Sequence, residues 1–130
     1  MGPPIPTPAE LLRFAEEAKA QRKATAEKLL TDRAIADHTE AIALDPNYAV
    51  AYSNRGGAYY RKGEVDRGIA DYTKAIALDP NNATAYSNRG TAYCLKREVD
   101  RAIADFRKAL EIDPSYQQAK DNLKDLGVTP

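Results

Sequence analysis

Three short marks, Asp45-Pro46-Asn47, Asp79-Pro80-Asn81 and Asp113-Pro114-Ser115, recur at a period of 34 residues along this chain of 130. That period constrains the fold more than any other feature, because units of this length are built to stack on one another rather than to fold alone. Between the marks, Ala-Tyr-Ser-Asn-Arg-Gly at 51–56 returns unchanged at 85–90, and Glu64-Val65-Asp66-Arg67 returns as Glu98-Val99-Asp100-Arg101. Nearly two thirds of the positions agree between the two full copies.

Each copy reads as helix, tight turn, helix. Tyr52, Gly56, Tyr59 and Tyr60 fall three or four residues apart, which places aromatics and a small residue on one helical stripe. Lys62-Gly63 interrupts the pattern, and a second apolar series follows at Ile69, Tyr72, Ala75, Ile76 and Leu78. Pro80 disfavours helical geometry at Asp79, and Asn81 or Asn82 can cap the next helix by accepting a backbone N–H.

Tyr52, Gly56, Tyr59, Gly68, Tyr72, Ala75 and Pro80, repeated as Tyr86, Gly90, Tyr93, Ala102, Phe106, Ala109 and Pro114, resemble the signature of the tetratricopeptide-repeat family. The small residues have a physical role, since two helices approach closely only where a side chain is short or absent. The resemblance implies an all-α fold, an α-solenoid of antiparallel helix hairpins with a C-terminal capping helix. It covers about residues 14–126, strongly over 46–116 and weakly before 34. The expected organisation is a linker over 1–8 and one domain over 9–126. Within it lie a degenerate repeat (9–46), full repeats (47–80 and 81–114) and a capping helix (115–126), followed by a tail over 127–130. Tyr116, Ala119, Leu123 and Leu126 form the capping stripe, closed by Gly127, with Gln117, Lys120, Asp121, Lys124 and Asp125 on a polar outer face.

The first repeat is irregular. Ala34, Ala41, Ile42, Leu44 and Pro46 match a second helix, but His38 replaces an aromatic, and Gln21, Arg22 and Thr25 stand at the registers of Arg55, Gly56 and Tyr59. No Gly or Pro occurs between Pro8 and Pro46. The repeat pattern favours a turn near Leu30, giving a third hairpin. The alternative is one helix over 9–44, whose uncovered stripe would predict a swapped or associated homodimer.

In the family, the first helices of successive hairpins line a concave groove. Carried onto this sequence, the groove positions are Val50, Ser53, Asn54, Gly57 and Arg61, then Thr84, Ser87, Asn88, Thr91 and Leu95, then Gln118, Asp121 and Asn122. Asn54, Asn88 and Asn122 fall one repeat apart and form a ladder of amides. Each amide offers a donor and an acceptor, so it can pair with the backbone of an extended peptide; equally, the amides could bond locally to neighbouring helices. Some relatives bind chaperone tails through a carboxylate clamp that needs Lys and Asn, then Asn, then Lys and Arg on successive repeats. The matching positions here hold Lys19, Lys23, Asn54, Thr84 and Asn88. Lys19 and Asn54 fit, but Lys23 replaces Asn, and Thr84 and Asn88 remove two cations and their charge-assisted bonds. Chaperone-tail binding is therefore not expected. Arg55 and Arg89 occupy a usually apolar site and are expected to pair with Asp37, Asp71 or Asp105, fixing repeat register.

Lys plus Arg (19) equals Asp plus Glu (19), so no basic field draws a nucleic-acid backbone. No apolar run reaches the length of a membrane span. The single cysteine, Cys94, excludes an intrachain disulfide or a multi-thiolate zinc site and fits a cytoplasmic setting. His38 sits at a core-facing register and Cys94 aligns with Tyr60, so both read as packing residues. No phosphate loop, metal-ligand cluster or catalytic triad pattern is present. The sequence thus predicts a non-enzymatic adaptor, without cofactor or metal, that binds a peptide or protein segment through its groove. Its alternative is a self-association module using residues 9–44.

Overall fold

A computed structural model describes residues 2–129, so Met1 of the expected linker and Pro130 of the expected tail lie outside the described residues. Six helices follow one another: α1 (Pro8–Leu44), α2 (Ala49–Lys62), α3 (Val65–Leu78), α4 (Ala83–Leu95), α5 (Val99–Ile112) and α6 (Gln117–Asp125). The helices α2 with α3, and α4 with α5, form the two hairpins that the repeated copies predict, and α6 closes the stack.

The turns explain why the units recur. At each repeat boundary an aspartate ends one helix and its carboxylate accepts the backbone N–H two residues on: Asn47 to Asp45 (3.1 Å), Asn81 to Asp79 (3.3 Å) and Ser115 to Asp113 (3.0 Å). Asn82 then caps α4 by accepting the Ala85 N–H at 3.0 Å. Inside the hairpins, the chain reverses through a left-handed residue. In the first hairpin this is Gly63 (φ 87), whose N–H reaches the Tyr59 and Tyr60 carbonyls, and in the second it is Arg97 (φ 61).

The first repeat departs from the hairpin expectation. The chain does not turn near Leu30; α1 runs unbroken for 37 residues. Three features of the sequence account for this. Leu29 occupies the register of Gly63 and Arg97, and a leucine there resists positive φ more than glycine does. Arg22 occupies the register of Gly56 and Gly90, where the hairpins leave no room for a large side chain. Residues 9–30 are also almost entirely strong helix formers, Ala, Leu, Glu, Lys, Arg and Gln. Thr7 starts the helix by accepting the Glu10 N–H at 3.2 Å, with Pro8 at the first helical position. Residues 31–44 of α1 pack on α2 as a second helix would, whereas every residue from 8 to 30 is exposed.

Contacts between helices set the curvature. The first helices touch in succession, α2 with α4 and α4 with α6, while α3 and α5 do not touch. The stack therefore bends toward the α2, α4, α6 side, and that side is the inner wall. Its best-closed core lies at the far end, where Ala102, Phe106, Ala109, Ala119 and Leu123 are fully buried between α5 and α6. Leu123 sits at the register of Arg55 and Arg89, and burying it contributes about 2 kcal/mol to docking the cap.

Candidate functional site

Arg55 and Arg89 tie each repeat to itself and to the one before. The Arg55 Nε and Nη2 donate to the two oxygens of Asp71 at 2.7 and 2.8 Å, and Nη1 donates to the Thr39 hydroxyl at 3.3 Å. One repeat later, Arg89 makes the same fork to Asp105 at 2.8 Å twice, and reaches Thr73 at 3.2 Å. The hydrogen bond it donates to its aspartate, ahead of the opposing cost of burial, raises each arginine above its ordinary pKa. Each guanidinium also lies over two tyrosine rings, Tyr52 and Tyr59 (5.8 and 5.7 Å) or Tyr86 and Tyr93 (5.6 and 5.8 Å). Each guanidinium thus makes three hydrogen bonds within the fold. Asp37, the third acid considered, is exposed and pairs with neither arginine. A second ladder joins Lys62 to Asp32 (2.9 Å) and Lys96 to Asp66 (2.6 Å) between repeats.

Of the residues expected on the inner wall, Gly57, Arg61, Asn88, Thr91 and Gln118 line one pocket. Asn54 is exposed, and Asn88 and Asn122 are half-buried. Thr91 donates its hydroxyl to the Ser87 carbonyl at 3.1 Å, whereas none of the three asparagine amides makes a hydrogen bond among the described residues. Val50, Thr84, Arg61 and Leu95 are exposed, Ser53 is half-buried, and Gln118 and Asp121 are exposed on α6. Ser87 is the exception: it is 0% exposed, and its Oγ is buried without a hydrogen-bond partner, so it does not reach the groove surface. Lys19 and Lys23 lie on the exposed stretch of α1.

At the centre of this wall is a pocket of about 240 Å³ lined by Gly57, Tyr60, Arg61, Tyr72, Asn88, Thr91 and Gln118. Tyr72 comes from a second helix, and helical periodicity assigns it to the core. It is 3% exposed, yet its hydroxyl reaches the pocket, and burial pushes its pKa up to about 12. Sequence comparison between the copies held the signal: Tyr72 has a hydroxyl where Phe106 has none, and a core position has no use for one unless something bonds it. Arg61 also borders a second opening, of about 460 Å³, against Glu27, Leu30 and Thr31 of α1.

Neither of the other chemically notable side chains joins this pocket. His38 is half-buried on α1. Cys94 is half-buried, and burial raises its thiol above the ordinary value, away from the reactive thiolate. Among the described residues, no helix is long and apolar enough to cross a membrane.

An inner wall of stacked first helices defines a class of helical-repeat binding scaffold, and comparison with known proteins gives the class its family. A family model described as TPR repeat matches residues 31–63 and 56–96, and one described as tetratricopeptide repeat matches 83–116. The chain belongs to the tetratricopeptide-repeat family. No curated protein matches it. Among solved structures, the Arabidopsis OM64 TPR domain is 34% identical, with a TM-score of 0.74 over 86% of this chain and 93% of that one. The first TPR of Spaghetti (RPAP3), bound to the HSP90 peptide SRMEEVD, is 28% identical with a TM-score of 0.73, over 89% of each chain. The second TPR domain of human RPAP3, in complex with the HSP70 peptide SGPTIEEVD, is 29% identical with a TM-score of 0.72, over 84% of this chain and 91% of that one.

Proposed function

We propose that this protein is a non-catalytic adaptor that holds an extended peptide, or an extended segment of a larger protein, against the α2, α4, α6 wall. The observation that carries this reading is the amide ladder: Asn54, Asn88 and Asn122 sit one repeat apart on consecutive inner helices, with no hydrogen bond of their own among the described residues. A peptide backbone offers the alternating donors and acceptors that such amides can pair with, and it does so for many sequences. The peptide complexes of the structural relatives support a groove-bound ligand in general terms. The chaperone tails themselves are not the proposed ligand, because Thr84 and Asn88 place no cation on α4 to meet a terminal carboxylate. Two hairpins and a cap make a short groove, so we expect affinity of about micromolar.

The test uses partners captured by the wild-type protein and the Asn54→Ala, Asn88→Ala, Asn122→Ala triple variant. Each lost neutral hydrogen bond is worth about 1 kcal/mol, so affinity for a captured partner should fall at least tenfold while the circular dichroism stays helical. Unchanged affinity would move the binding surface elsewhere.

A second reading, self-association, is favoured by α1. Residues 8–30 of α1 are all exposed, and Leu11, Leu12, Leu29 and Leu30 among them are each more than half exposed. A partner helix there would hide apolar surface that one chain leaves in water. Arg22 prevents that helix from copying the close approach of the hairpins, so the association would be helix on helix at wider spacing. Light scattering should then give a dimer mass that returns to monomer on deleting residues 1–30. A concentration-independent monomer for the full chain removes this reading.

A further inference from the structure

The outward side of α1 carries charges in a symmetric order. Among the described residues α2 is the one helix that α1 contacts, and half-buried residues such as Ile35, His38 and Ile42 lie on that side. On the opposite side Lys19, Arg22 and Ala26 lead at helical spacing through Leu29 and Leu30 to Asp37 and Glu40, and every one of them is exposed. The two leucines are 65% and 69% exposed, so the centre of this stripe leaves apolar surface in water. Lys19, Arg22, Asp37 and Glu40 belong to no ion pair among the described residues. Two cations therefore precede the leucines and two acids follow them, all without a charged partner in their own chain.

The spacing is self-complementary. Arg22 and Asp37 stand equally far from the midpoint between Leu29 and Leu30, and so do Lys19 and Glu40. A two-fold contact demands that order, because each residue must meet its counterpart on the other copy in both directions. A second α1 laid antiparallel across the first, with the axis between Leu29 and Leu30, sets Arg22 opposite Asp37 and Lys19 opposite Glu40 twice over. The leucines of both copies meet at the centre, and Arg33 falls opposite Ala26 rather than another charge. A parallel pair would set each of the four charges against its own twin, which repels. Within one chain Arg22 and Asp37 are about 22 Å apart along the helix, beyond reach of each other. Asp71 and Asp105, at the register of Asp37, each take an arginine fork from their own repeat, so Asp37 is the aspartate of this series whose arginine has to come from outside.

We propose that two copies of this chain associate through α1, laid antiparallel about a two-fold axis between Leu29 and Leu30, with Arg22 to Asp37 and Lys19 to Glu40 as the ion pairs that fix direction and register. The proposal rests on the self-association reading and names the surface and orientation of the contact. Exposed ion pairs add little affinity, so the leucines drive the association, and the charges select among the ways in which two long helices could meet. Long, flexible arginine and lysine side chains also suit the wider spacing that Arg22 imposes.

The test begins with sedimentation equilibrium of the full chain, which should give a dimer. The double variant Lys19→Glu, Arg22→Glu should dimerise at least tenfold more weakly, as should Asp37→Lys, Glu40→Lys. The variant with all four changes should recover wild-type affinity, because it restores opposite signs at both pairs. All four residues are exposed and their replacements are good helix formers, so the circular dichroism should not change. Direction and register are read with a short bismaleimide cross-linker on single-cysteine chains in a Cys94→Ala background, where any cross-link joins two copies. Leu29→Cys, beside the axis, should give a covalent dimer, whereas Leu12→Cys, about 50 Å from its counterpart, should not. Cross-linking at both positions would mean parallel helices, and at neither, in a protein that still sediments as a dimer, a different contact. Either result, or unchanged affinity in the two double variants, overturns this geometry and leaves self-association standing. A full chain that stays monomeric at every concentration removes both.

Discussion

Asp105→Ala will cost this protein about 3 kcal/mol, seen as a urea midpoint displaced to lower concentration with an unchanged slope. The substitution removes both acceptors of the Arg89 fork, leaving a guanidinium whose side chain is 17% exposed with only the Thr73 hydroxyl, at 3.2 Å, to bond. Stranding a half-enclosed charge costs far more than the pair itself contributes, because the desolvation has already been incurred. The matched double variant Arg89→Met, Asp105→Leu should therefore recover most of the loss. In a protein of this length the single substitution corresponds to a fall in Tm of roughly 10 °C. The same experiment separates a structural arginine from a ligand-binding one. If Arg89→Met left stability unchanged and abolished peptide binding, the fork would have to be reassigned to the groove.

This fork shows what could be read from residues alone. Arg55 and Arg89 were legible as paired because they stand at a usually apolar register with acids 16 residues away in each copy. The two full repeats were legible for the same reason throughout: each residue has a twin, and a role that satisfies both twins is well constrained. The first repeat has no such check. Its C-terminal half matches a second helix, and extending the register backwards predicts a hairpin that Arg22 and Leu29 do not permit. Twin positions can also diverge because their neighbours differ. Ser53 and Ser87 share a register, yet α4 lies between α2 and α6 and touches both, so Ser87 is sealed, whereas α2 has one such neighbour and Ser53 stays half-exposed. Tyr72 was missed for a different reason. Helical spacing reports which side of a helix is buried and says nothing of where the far end of a long side chain emerges.

Gly90→Val should be about as damaging as Asp105→Ala, through a separate mechanism. A Cβ at 90 would stand 2.8 Å from the Cε1 of Phe106 and 3.0 Å from its Cδ1, closer than carbon atoms pack, and valine adds two methyl groups beyond it. Relief would require Phe106 to move, but that ring is 0% exposed and shares its cluster with Ala102, Ala109, Ala119 and Leu123. Moving the ring presses α5 away from α4 or displaces α6, so the strain reaches the seam that closes the solenoid. Overpacking of this kind costs about 3 kcal/mol, and thermal unfolding should show it together with loss of the slowest-exchanging amides in α5 and α6. Gly57→Val is the control, because the same side chain there meets nothing nearer than the ordinary 3.4 Å contact at its Cβ. Its cost should be limited to the lower helix propensity of valine relative to alanine, offset by the gain over glycine, and so lie near zero. A large loss at both positions would mean that α2 and α4 are sensitive to any side chain on this face. A loss at 90 alone would place the cause in the contact between Gly90 and the ring of Phe106.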